Sequence, residues 1–306
     1  MASLREIRRK IKSVKSTQQI TKAMKMVAAA RMRKAQQAIM SSRPFAVQLE
    51  KAVRELALLE VQADQLAGRD VQIHKFFNAP AADDKACLVL VTADKGLCGA
   101  FNTSVLRAAI GWFQKNKEKD ISVLLVGRKG RDFVKRLRGI RSAVLDELVG
   151  VFPKVTFNHA NIIGDPLLEK FAAGEFSTVT VLYNEFKSAV SQRVVETRLL
   201  PIPVPDLSDK DTDNPAAANP FGFHFEPNRE RLLEELLPRH IKAQLYRVLL
   251  ESQAAELAAR MNAMDSATKN AGELLEHLTL TMNRQRQAMI TGEIAELVSG
   301  AEALKS

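Results

Sequence analysis

Residues 257–289 read LAARMNAMDSATKNAGELLEHLTLTMNRQRQAM. Within them Leu257, Met261, Met264, Thr268, Ala271, Leu275, Leu278, Met282, Gln285 and Met289 alternate spacings of four and three. A 3.5-residue repeat sustained in this way is the pattern of a helix that offers one seam to a partner helix. No proline follows Pro238. Taken as one helix, residues 239–304 would extend roughly 100 Å at about 1.5 Å per residue, more than a globular domain of this length needs.

The partner seam is expected at the other end of the chain. Residues 1–43 hold neither Gly nor Pro. Leu4, Ile7, Ile11 and Val14 fall at spacings of three, four and three, and the seam is expected to restart at Ile20, Met24 and Val27 and again at Met32, Ala35 and Ile39. Ala28, Ala29 and Ala30 favour helix and let a partner approach closely. Pro44 is expected to kink this helix, which resumes through Glu60 and ends near Gly68.

The middle has another texture. Residues 86–92 (ACLVLVT) and 121–127 (ISVLLVG) are continuous apolar runs, like strands buried on both faces. Each leads through a Gly-containing loop into a helical pattern, at 103–119 and 131–137, and residues 178–183 and 194–200 add strands. Alternating strands and helices predict a small, mostly parallel α/β domain. The expected organisation is a coiled-coil helix at 1–65, a Rossmann-like α/β domain at 70–205, a Pro/Asp-rich linker at 206–230 and a second coiled-coil helix at 231–306. Antiparallel pairing of the terminal helices would bury both seams.

The net charge of +10 is concentrated. Residues 1–43 carry twelve Lys/Arg against Glu6 alone, a balance of +11, while the other 33 Lys/Arg and 34 Asp/Glu leave −1. An acidic surface is expected to face that helix. Nucleic acid is the alternative partner, yet residues 1–43 contain no aromatic side chain on which a base would stack. A membrane surface is poorly suited by a narrow Ala/Met seam. A basic, acid-poor N-terminus also resembles a transit peptide, but the helical pattern runs well past that length, so the protein is expected to stay where it is made. No apolar run approaches the ~18 residues of a membrane span.

Catalytic chemistry finds little support. The loop at 94–99 (DKGLCG) lies between strand and helix but lacks a P-loop ending or dinucleotide spacing, and 127–130 (GRKG) is no stronger. Cys98 is read as a small buried turn residue rather than a reactive thiol lowered by Lys95. His74, His159, His224, His240 and His277 are scattered without metal-ligand spacing. No catalytic, cofactor or metal site is expected. Two cysteines, Cys87 and Cys98, fit a reducing compartment.

Several ordered motifs nonetheless resemble one family. Residues 20–28 (ITKAMKMVA), 94–102 (DKGLCGAFN), Ala259-Arg260-Met261 with Asn270-Ala271, and above all 283–304 (NRQRQAMITGEIAELVSGAEAL) are similar to the gamma subunits of bacterial F-type ATP synthases, over nearly the whole chain. Met282, Met289 and Gly292 depart from the usual pattern, and Gly292 inside a helix costs about 1 kcal/mol relative to Ala.

The resemblance implies a non-catalytic rotor shaft within a ring of alpha and beta subunits. Its central domain would rest on the epsilon subunit and the membrane c-ring, and proton flow would drive ATP synthesis on the beta subunits. It also implies a peripheral place on the cytoplasmic face of the inner membrane. By motif position, Arg260, Gln287 and Thr291, with Arg286 beside them, would contact a beta-subunit loop, and Met24 would pack next to them. Lys25 would pass acidic loops; a charge pair at ~4 Å interacts by about 4 kcal/mol at an effective dielectric of 20, before desolvation. Residues 295–304 would form a single-helix tip in an apolar sleeve.

Overall fold

The computed structural model describes residues 3–66, 74–78, 84–137, 142–152, 154–203 and 229–303. Two long helices, α1 (Leu4–Leu66) and α5 (Arg229–Ala303), bracket β1 (Lys85–Val91), α2 (Phe101–Lys115), β2 (Asp120–Val126), α3 (Arg128–Val134), β3 (Ser142–Leu148), α4 (Phe157–Ala172), β4 (Thr178–Phe186) and β5 (Gln192–Leu200). The segment expected as a Pro/Asp-rich linker lies outside the described residues up to 228. The chain forms two compact units, one of Met1–Ala30 with Arg260–Ser306 and one of Arg31–Ala259.

The larger unit is built on a five-stranded sheet in the order β3-β2-β1-β4-β5, parallel except for β5. The apolar runs of β1 and β2 occupy its middle because both faces are covered. Ala86, Leu88 and Leu90 of β1 pack with Val105, Trp112 and Phe113 of α2 and Val134 of α3. Their alternates Cys87, Val89 and Val91 join a second cluster on the other face. That cluster holds Ile163, Leu167 and Phe171 of α4, Leu49, Val53 and Leu56 of α1, and Leu237, Ile241, Leu245 and Val248 of α5. In this unit the long helices are therefore also a cover for the sheet.

Two elements fall outside the sequence reading. Strand β3 is an edge strand with no fully buried residue, so its alternation is faint. Helix α4 carries Gly164 and Pro166, and these interrupt the periodic signal although the helix runs through them. Pro44 likewise does not end α1. Its missing N–H leaves the Met40 carbonyl without a helical donor, but Met40 is 74% and Phe45 62% exposed, so water can serve that group.

The turn into α3 depends on one glycine. Gly127 has φ +91, and a Cβ there would fall 2.1 Å from the Thr92 carbonyl oxygen. That close approach lets Thr92 Oγ1 accept the Gly130 N–H at 2.8 Å. Gly127→Ala is expected to destabilise the unit by about 3 kcal/mol or more through clash and backbone strain. Urea unfolding followed by fluorescence of Trp112, the only tryptophan, checks this; an unchanged midpoint would contradict it.

Candidate functional site

The smaller unit is where the motif residues converge, and its register follows from three contacts. Thr21 and Thr268 hydroxyls meet at 2.7 Å, Lys25 Nζ donates to Asp265 Oδ1 at 2.6 Å, and Gln18 Nε2 would lie 3.1 Å from a Cβ on Gly272. From Gln18 to Lys25 the number rises by seven while it falls by seven from Gly272 to Asp265. The helices are antiparallel.

The sheltered positions of α1 here are Leu4, Ile7, Ile11, Val14, Gln18, Thr21, Lys25 and Ala28, an unbroken alternation of threes and fours. The expected restart at Ile20, Met24 and Val27 is therefore corrected. Ile20 is 57% and Val27 51% exposed, and Met24 is half-buried at the seam's edge. Polar residues fill the seam because each finds a partner on α5, and a satisfied polar layer can replace an apolar one. Each hydroxyl of this pair also lies within donating reach of a carbonyl on its own helix, Gln18 at 3.0 Å for Thr21 and Met264 at 2.7 Å for Thr268, so either can donate across the seam. On α5 the seam runs as read from Met261 to Gln285, where each position is buried or half-buried; Met289 is 52% exposed.

This register divides the six expected contact residues. Met24 and Lys25 lie across from Asp265, and Arg260 sits little more than one turn away on α5, half-buried and already engaged in a contact. Arg286, Gln287 and Thr291 are exposed and begin about 30 Å farther along α5 at 1.5 Å per residue. Met24 thus neighbours Arg260 but not Gln287 or Thr291. Lys25 is bound within its own unit: Asp265, which Lys269 also approaches at 3.4 Å, is held below the usual carboxyl range first by the hydrogen bond from Lys25.

The basic face expected from the charge count is present on α1 of this unit. Arg5, Arg8, Arg9, Lys10, Lys12, Lys15 and Lys22 are all exposed, and among the described residues none has an ion-pair partner. They account for seven of the twelve Lys/Arg of residues 1–43. From Arg286 to residue 300 every side chain of α5 is exposed, including Ile290, Ile294, Leu297 and Val298, which keep a seam-like spacing.

In the larger unit, the place where a doubly wound sheet takes a nucleotide is the crevice between β1 and β4, where the strand order reverses. Here Ala93, Cys98 and Phe101 pack against Ala255 and Ala259 of α5 and Phe186. The helix fills the crevice. The Asp94 carboxylate accepts N–H groups of Arg128 and Gly150, so the loop's acid ties three turns together. Cys98 is buried, in keeping with its reading as a turn residue. His159 completes a capping box with Thr156 at the start of α4. Among the described residues no three His, Cys, Asp or Glu side chains are grouped as metal ligands.

A family model described as ATP synthase matches residues 3–304. The ATP synthase gamma chain of Elusimicrobium minutum is 46% identical over 305 residues, covering 99% of each chain. That of an Anaeromyxobacter species is 44% identical over 307 residues, covering both chains fully. A chain from the central stalk and c-ring structure of the Tetrahymena thermophila mitochondrial ATP synthase is 29% identical, with a TM-score of 0.59, over 81% of this chain and 99% of that one. A chain of the Euglena gracilis mitochondrial ATP synthase shares the fold at a TM-score of 0.62 and 19% identity, over 98% of this chain and 94% of that one.

The threonine pair offers a direct check of the seam. Thr21→Val is expected to cost about 1 kcal/mol, the usual worth of such a hydrogen bond. Thr21→Val with Thr268→Val is expected to recover part of that loss, because both polar groups leave together. Thermal unfolding by circular dichroism reads both; a neutral single variant would contradict a buried bond between the helices.

Proposed function

The chain belongs to the gamma-chain family of ATP synthases, and we propose that it works as the central rotor shaft, coupling proton flow through a membrane ring to ATP synthesis and hydrolysis on the beta subunits. The observation that carries this reading is the asymmetry of the smaller unit. Its α1 part, from Leu4 to Ala30, bears eight Lys/Arg and one Glu, whereas its α5 part, from Arg260 to Ala303, bears four Lys/Arg and six Asp/Glu. A turning body of this kind offers a basic face, then a mixed one, to whatever surrounds it.

Only such a difference lets a shaft act. A ligand, here the shaft itself, shifts an equilibrium between nucleotide states by no more than its differential contact energy with them. Each exposed pair formed by Arg5, Arg8, Arg9, Lys10, Lys12, Lys15 or Lys22 with an acidic loop is worth under about 1 kcal/mol, so several act together and each releases readily. Met24 and Arg260 form one contact zone; Arg286, Gln287 and Thr291 form a second, higher on α5. Lys25 contributes by holding Asp265, which keeps this zone of the two helices in register.

The bare end of α5 takes a different role. Ile290, Ile294, Leu297 and Val298 have no partner among the described residues, and their apolar stripe suits a surrounding apolar sleeve in the alpha–beta ring. The chain itself performs no nucleotide chemistry in this account. Among the described residues no helix is long and apolar enough to cross a membrane, so membrane association would run through partners, with the α/β unit resting on the epsilon subunit and the c-ring at the cytoplasmic face.

Native mass spectrometry of the tagged protein purified from its host membranes, with an ATPase assay, tests the assignment. One copy bound to alpha and beta subunits, with hydrolysis, is the expected result; a free chain or a nucleic-acid complex would refute it. Deleting residues 295–306 is expected to lower the yield of assembled complex at least twofold. Unchanged assembly and hydrolysis would remove the sleeve from the account.

A further inference from the structure

The larger unit contains a cavity of about 480 Å³ to which the shaft role assigns nothing. It lies between α1, α5 and the edge strand β5, and its size is that of a small-molecule site. Three guanidinium-bearing residues from the three elements line it: Arg54, Arg198 and Arg247. Glu50 is the one carboxylate among the lining residues. The walls are otherwise largely apolar, with Val53, Phe77 and Ile241 buried.

Two of these three cations, Arg198 and Arg247, have unmet hydrogen-bonding capacity among the described residues. Arg198 has neither an ion pair nor a side-chain hydrogen bond with any described residue. Arg247 Nε is buried without a hydrogen-bond partner among the described residues, with Glu251 Oε1 no closer than 3.8 Å. Glu251 in turn accepts from the Tyr183 hydroxyl at 3.2 Å, which draws that carboxylate toward the sheet. His240, one helical face with Gln244 and Arg247, is buried on the same wall. Burial lowers its pKa, with Arg247 adding to this and Glu50 opposing it, so it brings no further positive charge at neutral pH.

Planar guanidinium forks on three sides of one cavity match phosphate oxygens, which they bind in pairs of parallel hydrogen bonds. An apolar floor beneath them suits a ring or chain rather than a bare ion. We propose that this cavity binds a phosphorylated small molecule with an apolar or aromatic body, of nucleoside-phosphate size. The site is separate from the filled crevice at β1 and β4 and does not depend on the shaft assignment.

The probes are ADP and inorganic pyrophosphate, added to the purified full-length chain, with hydrogen exchange by mass spectrometry as the readout. Saturable slowing of exchange in residues 50–57, 192–203 and 240–250 by ADP, more than by pyrophosphate, is the expected result. Arg198→Ala, at an exposed edge-strand position, is expected to weaken ADP at least tenfold while leaving the unfolding midpoint unchanged. No local slowing at saturating probe, or equal affinity in the variant, would overturn the site. So would slowing that appears only after Asp206, Asp209, Asp211 and Asp213 are changed to Asn, since the chain's own carboxylates would then be the ligand. Slowing by pyrophosphate equal to that by ADP would overturn the apolar-body assignment and leave a bare anion site.

Discussion

Neither long helix can keep its stripe in water. Each carries sheltered residues every 3.5 positions, and the stripe of one is matched in length and direction by the stripe of the other. That mutual need sets the antiparallel pairing, and the pairing sets everything the smaller unit shows to its surroundings. Where α1 begins, at Leu4, the partner on α5 is near Arg286. Past that point α5 has no counterpart among the described residues, and its apolar residues are exposed from there on.

The same two helices serve the larger unit in another way. Leu49, Val53 and Leu56 of α1 and Leu237, Ile241 and Val248 of α5 share a core with one face of the sheet. The later part of α1 and the early part of α5 are thereby fixed to a close-packed cluster. The small residues Ala255 and Ala259 let α5 lie close over the β1–β4 crevice, so the place where this kind of sheet elsewhere takes a nucleotide is occupied by a helix.

Much of this was legible because long helices repeat their signal. Ten positions from Leu257 to Met289 define the α5 seam, and nine of them are sheltered. The central strands were equally plain, since a strand covered on both faces is written as an uninterrupted apolar run. Legibility failed where tertiary contacts override composition. Gln18, Thr21 and Lys25 sit in the seam because Thr268 and Asp265 answer them, and no single helix announces its partner's polar groups. The bond from Lys25 to Asp265 was hidden for that reason. Edge strand β3 and the proline-bearing α4 were silent because their residues are half-exposed or break the period.

In the proposed rotor the α1 and α5 parts of the smaller unit turn as one body. Thr21→Cys with Thr268→Cys puts two thiols where hydroxyls now meet at 2.7 Å, close enough for a disulfide. ATP-driven proton pumping by the assembled complex would be measured with that bond formed and then reduced. Equal pumping in both states is the result this account predicts. Pumping lost on oxidation and restored by reduction would mean that the helices must move past each other, and the two could not be one shaft.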